Sequence, residues 1–111
     1  EPYASLMGSR GFVTGEACII PKTCLSIYEA EVKEDYQRAK EILKQAKPLL
    51  DYILDAGDSG ADYIVKIKAG LNILGLPGGI PRLPLSSADE STKNRLRKLL
   101  EEYPLPEPWK K

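Results

Sequence analysis

Gly8-Ser9-Arg10-Gly11-Phe12-Val13-Thr14-Gly15, with Pro21 close behind, is the stretch on which the fold turns. Between Gly11 and Gly15 lies a short β-prone run of the kind that suits a buried strand. Beyond Pro21 the apolar residues take up a helical period. A lone strand has no partner for its backbone donors and acceptors, and burying these unpaired costs about 1–3 kcal/mol each. The segment is therefore expected to belong to a sheet made elsewhere, or not to be a strand here. The chain also begins at Glu1 and not at Met. Together these two features predict a piece of a longer polypeptide.

Working outward, Tyr3 to Gly8 suits a short helix ending at a glycine. Pro21 is favourable in a first helical turn, where its missing N–H would be unpaired anyway. Cys24, Leu25, Ile27, Tyr28 and Val32 follow at helical spacing. Asp35 is placed to cap a long helix whose stripe runs Tyr36, Ala39, Ile42, Leu43, Ala46, Leu49, Leu50, Ile53 and Leu54. Gly57 is expected to close it, and Pro48 to kink it near Lys44.

Asp58-Ser59-Gly60 reads as a turn. A third helix is expected from about Ala61 to Leu74, burying Ile64, Ile67, Leu71 and Leu74 and closed by Gly75. Ser87-Ala88-Asp89-Glu90 reads as a capping box. The helix after it is expected to run to about Tyr103 and to bury Leu96, Leu99 and Leu100. The tail from Pro104 is expected to be loosely held. Apart from the short helix before Gly8, the total is one short strand and four helices, mainly α, with no repeating period.

Composition excludes several functions. Sixteen Lys and Arg cancel sixteen Asp and Glu, which removes the electrostatic basis for generic binding to nucleic acid or anionic membranes. No apolar run approaches the ~20 residues that span a bilayer, and no signal-peptide pattern is present. There is no histidine, so a His-based triad, metal site or general base is excluded within this chain. Cys18 and Cys24 fit neither a CxxC motif nor a zinc cluster. They read as reduced thiols of a cytoplasmic protein, and no metal site is expected.

Three blocks carry a resemblance. The first is Gly8 to Gly15 followed by Pro21. The second is Lys68-Ala69-Gly70-Leu71 followed by Leu74-Gly75. The third is Arg82-Leu83-Pro84-Leu85. In order and spacing the chain resembles the dihydrodipicolinate synthase / N-acetylneuraminate lyase family. The blocks match its eighth barrel strand, its Lys-Ala-x-Leu-x-x-x-Gly helix and its Arg-x-Pro-Leu loop.

The resemblance implies the C-terminal portion of a (β/α)8 barrel enzyme. Residues 1–33 would be the end of unit seven and the eighth β/α unit, and residues 34–111 an appended helical domain. Family members make or break a C–C bond next to a 2-oxo acid of the pyruvate type, through a Schiff base on a lysine of the sixth strand. That lysine would lie outside this chain. The implied partners are the remainder of the barrel, on the same or another chain, a 2-oxo acid substrate and further copies in a homo-oligomer. No cofactor is implied.

Barrel sites lie at the C-terminal ends of the strands, which nominates Val13, Thr14, Gly15 and Glu16, the first three as the substrate-pocket residues. The alternative is that Val13 and Thr14 only fill the barrel. Glu16 and Cys18 depart from the family pattern; they are expected to cap the next helix, the alternative being that they tune substrate choice. Gly11, Pro21, Lys68, Gly75, Arg82 and Pro84 are expected to be structural, Arg82 by pinning its loop to a carbonyl or an acid. No residue here is assigned a catalytic role. The other reading is a stand-alone helical interaction or oligomerisation module.

Overall fold

The computed structural model describes residues 2–55 and 62–110. Among them are five α-helices: α1 (Pro2–Leu6), α2 (Pro21–Val32), α3 (Tyr36–Leu54), α4 (Asp62–Ile73) and α5 (Glu90–Glu101), with a 3₁₀ turn at Gly15–Cys18. The expected cap at Gly57 and the turn Asp58-Ser59-Gly60 lie outside the described residues, as does the expected start of the third helix at Ala61. The chain forms two compact units, Glu1–Lys47 with Pro104–Lys111, and Pro48–Tyr103. This division falls inside α3. The expected boundary at 33/34 describes register in a barrel, which compactness does not test.

In the first unit, α2 and α3 bury Ile27, Ala30, Ala39 and Ile42 in one cluster, with Phe12, Leu43 and Leu105 packed against it. The helices stop by the same device. After α1, Gly8 has φ 103°; its N–H donates to Ser5 and that of Ser9 to Ala4. After α2 the left-handed position is held by Glu34, at φ 58°. The N–H of Glu34 donates to Glu31 and that of Asp35 to Ala30 at 2.8 Å. Both closures have the Schellman pattern, which satisfies carbonyls left over at a helix end. Asp35 then opens α3, its Oδ1 accepting from the N–H of Arg38 at 3.1 Å.

The strand expected over Phe12–Thr14 is not formed, and no strand occurs among the described residues. Thr14 does have extended torsions, φ −148° and ψ 136°. No second extended segment lies alongside to complete a ladder, so the hydrogen bonds that define a strand have no acceptor.

In the second unit α4 packs on α5. Ala46 of the first unit and Leu49 and Ile53 of the second are buried, as α3 continues through Pro48. The buried face of α4 is rotated from the expected one. Ile67, Ala69 and Lys66 are buried while Ile64 is exposed. The small residues Ala69 and Gly70 allow close approach, and the lysine stem contributes apolar length.

The Lys66 ammonium donates to the carbonyls of Tyr52 at 2.8 Å and Asp55 at 2.6 Å, and lies 4.3 Å from the centre of the Tyr52 ring. It therefore caps the C-terminal turn of α3, where leftover carbonyls attract a cation. Gly75 closes α4 at φ 78°, with the N–H of Leu76 on Leu71 at 2.9 Å and that of Gly75 on Asn72 at 3.1 Å. α5 buries Leu96, Leu99 and Leu100 as expected. Its cap is Asp89, whose carboxylate accepts from the Thr92 N–H at 2.8 Å, and not Ser87. With Glu90 as the first helical residue, an aspartate directly before it meets the amide two residues further on.

The tail departs most from expectation. Tyr103 and Glu107 are buried, and Glu107 and Trp109 are fastened to the chain near Pro21, as described next.

Candidate functional site around the first turn of α2

The segment from Thr14 to Cys24 is built from short local bonds. The Thr14 hydroxyl donates to Oε2 of Glu16, a short contact that fixes the turn. The N–H groups of Ile19 and Ile20 both donate to the Glu16 carbonyl at 2.9 Å, and the Ile20 carbonyl accepts from Cys24 at 3.1 Å. Ile19 and Ile20 are buried.

The start of α2 has no side-chain cap from its own N-cap residue, Ile20. Pro21 has no N–H, and the next two amides converge on Glu107. Lys22 donates to Oε2 at 3.1 Å, Thr23 to Oε1 at 2.8 Å, and the Thr23 hydroxyl to the same oxygen at 2.6 Å. A carboxylate at a helix N-terminus faces both unpaired donors and the positive end of the dipole. Trp109 adds a bond from its indole Nε1 to the Ile19 carbonyl at 2.6 Å. Cys24 lies among these groups. Burial, then the charges of Glu16 and Glu107, push its thiol up to about 11, so it is neutral at pH 7 and not a nucleophile.

Glu16 was expected to cap α2, but the two amides are taken by Glu107. Cys18 is exposed. Val13 is fully exposed, Thr14 is tied to Glu16, and Gly15 opens the 3₁₀ turn. These three stay adjacent in one segment and do not line the cleft of about 480 Å³ beside it. That cleft lies at the other end of the segment against Arg10, Tyr28, Glu31, Glu34 and Tyr36. Glu107, Thr23 and Trp109 were not singled out from the sequence. Glu107 stands between two prolines in a stretch that reads only as a loop.

The second motif region is a loop anchor. The Lys68 ammonium donates to the Gly78 carbonyl at 3.2 Å. Asn72, also missed, donates to Gly79 at 2.9 Å and accepts from the Gly78 N–H at 3.1 Å. A Cβ on Gly78 would meet the Lys68 carbonyl. Arg82 is exposed, and its guanidinium has no hydrogen bond among the described residues, so the expected pinning is not seen there. Its carbonyl accepts from the Leu85 N–H at 3.0 Å across the cis Leu83–Pro84 bond.

Residues 2–103 match the dihydrodipicolinate synthetase family. This chain belongs to that family. Among its relatives in the dihydrodipicolinate synthetase family, 4-hydroxy-tetrahydrodipicolinate synthase of Methanospirillum hungatei is 34% identical over 102 residues, covering 92% of this chain and 33% of that protein. The enzyme called 4-hydroxy-tetrahydrodipicolinate synthase 1 of Streptomyces coelicolor is 36% identical over 86 residues, 78% of this chain and 27% of its own length. An uncharacterised lyase of Rhizobium meliloti is 35% identical over 104 residues, 90% and 33%. The chain thus spans about a third of the length of these relatives. No solved structure gives a significant match. Among the described residues, no helix is long and apolar enough to cross a membrane.

Proposed function

We propose that this chain is the C-terminal part of a lyase that makes or breaks a C–C bond beside a 2-oxo acid, through a Schiff base on a lysine outside these residues. In this reading residues 1–33 complete a (β/α)8 barrel and residues 34–111 form the appended helices. Val13, Thr14 and Gly15 lie at the substrate end. The working protein is a cytoplasmic homo-oligomer.

One observation carries the reading. Leu25, Tyr28 and Val32 recur at i, i+3 and i+7 on α2, yet are 54%, 40% and 63% exposed, and Val13 is wholly exposed. An apolar stripe of this spacing is the face a helix buries. Family membership supports the nature of what covers it, because the relatives are about three times as long. The extended backbone at Thr14, lacking a ladder, supports the same missing sheet.

The lysines on α4 have other work. Lys66 is buried against two carbonyls and Lys68 holds Gly78. Schiff-base chemistry needs an amine free to meet a carbonyl substrate in a closed pocket, and both of these are engaged by backbone carbonyls. The test is incubation of the chain with pyruvate and borohydride, read by intact mass. No lysine adduct is expected; a stable adduct on any lysine here contradicts the proposal. Sedimentation at low concentration bears on the uncovered face. Association is expected, and a clean compact monomer counts against it.

A further inference from the structure

We propose that Glu107 is a positioning residue, and that the C-terminal segment 104–110 is a latch that holds the turn from Thr14 to Ile20 in place. The family match ends at residue 103, and the latch is carried by residues that follow it. That it acts on the substrate end rests on the proposed function. That it acts on this turn does not.

The head of α2 draws its acceptors from far along the chain. Ile20 supplies no cap and Pro21 no donor, so the amides of Lys22 and Thr23 need an acceptor from elsewhere in sequence. Glu107 supplies both oxygens, one to each amide, and takes the Thr23 hydroxyl as well. It is 3% exposed, and charge-assisted bonds sheltered in this way are stronger than neutral ones. Trp109 closes the other side on the Ile19 carbonyl. The N–H of Lys110 on the Glu107 carbonyl at 3.1 Å keeps the two anchors in one turn.

The consequence travels along the chain. Ile19 and Ile20 hang from the Glu16 carbonyl, and the Glu16 carboxylate takes the Thr14 hydroxyl. Holding Ile19, Lys22 and Thr23 therefore holds Thr14 to Glu16 through bonds already formed. Without the latch the turn keeps its local bonds, that of the Cys24 N–H to the Ile20 carbonyl included, but loses its tie to the tail.

The whole chain supplies its own probe, since Trp109 is the single tryptophan. Amide hydrogen exchange and Trp109 emission are measured on the 111-residue chain, on Glu107→Gln, and on the pair Thr23→Val and Thr23→Ser. Glu107→Gln is expected to raise exchange across 15–23 on the order of tenfold and to shift Trp109 emission to the red, while exchange in 62–103 is unchanged. Thr23→Val moves both in the same direction by less, and Thr23→Ser, which keeps the hydroxyl, restores the original values. This pair decides the matter if Glu107→Gln does not fold. A red shift with unaltered exchange at 15–20 would overturn the proposal, as would a rise spread equally over 62–103. Unchanged emission and exchange in every variant would overturn it too. The readout uses no substrate, so failure of the lyase reading leaves it untouched.

Discussion

The Lys66 ammonium stands 2.6 Å from the Asp55 carbonyl and caps the end of α3 from inside α4. Lys66→Met keeps the stem and removes the donor, leaving the carbonyls of Tyr52 and Asp55 without it. A loss of about 1.5–3 kcal/mol is expected, the range for hydrogen bonds to charged groups. Arginine is not a substitute, because a planar fork does not replace a compact ammonium. Urea unfolding followed by circular dichroism measures both variants, and Lys66→Arg is expected to be destabilised as well.

Glu34 holds a left-handed backbone where the other closures at Gly8 and Gly75 use glycine. A side chain in that conformation costs roughly 1–2 kcal/mol. Glu34→Gly is therefore expected to stabilise the first unit by about 1 kcal/mol. The measurement is the midpoint of the same unfolding curve, which moves to higher urea.

Much of the helical part was legible because it is local. The stripes of α3, up to Ile53, and of α5 follow from spacing alone, as do the stops at Gly8 and Gly75 and the cap at Asp35; Leu54, at the end of the expected α3 stripe, is exposed. What failed was long-range. Lys66 reads as a charge on a helix until the end of α3 is beside it. The Glu107 carboxylate meets Thr23 across 84 residues, and no window of sequence contains both. The cap of α5 moved from Ser87 to Asp89 because Ser-x-x-Glu and Asp-x-x-Thr overlap there, and the carboxylate is the stronger acceptor. For the candidate site, the sequence nominated Val13 to Gly15 but passed over Glu107 and Trp109, which fasten the neighbouring turn to the tail.

Gly78 faces the main chain of α4. A methyl group there would meet the Lys68 carbonyl, with Asn72 Oδ1 at 2.9 Å and Leu71 Cβ at 3.0 Å. Gly78→Ala is expected to push the loop off α4, breaking the bonds to Lys68 and Asn72, at a cost of about 1–3 kcal/mol as for other overpacked sites. The same unfolding assay reads it, and exchange at Gly78 and Gly79 rises.

The two cysteines separate by environment. Burial and the neighbouring carboxylates hold the Cys24 thiol at about 11, against an ordinary 9.0. The folded chain therefore keeps this proton where the unfolded chain releases it. Stability from this group is fully present below pH 9 and is lost as pH rises from about 9 to 11. At pH 8 only about one thiol in a thousand is thiolate at this position. Iodoacetamide is expected to label exposed Cys18 first and Cys24 slowly, as mapped by peptide mass. Faster labelling of Cys24 in the folded chain contradicts the assignment.

The central claim is that this chain completes a lyase whose reactive lysine lies elsewhere. The direct measurement is a chimera in which it replaces the matching third of the Methanospirillum hungatei relative, treated with pyruvate and borohydride beside the unaltered host. A folded chimera that traps pyruvate on a host lysine, and on none from this chain, is the expected result. A folded chimera that traps nothing while the host does, or an adduct on Lys66 or Lys68, contradicts the account.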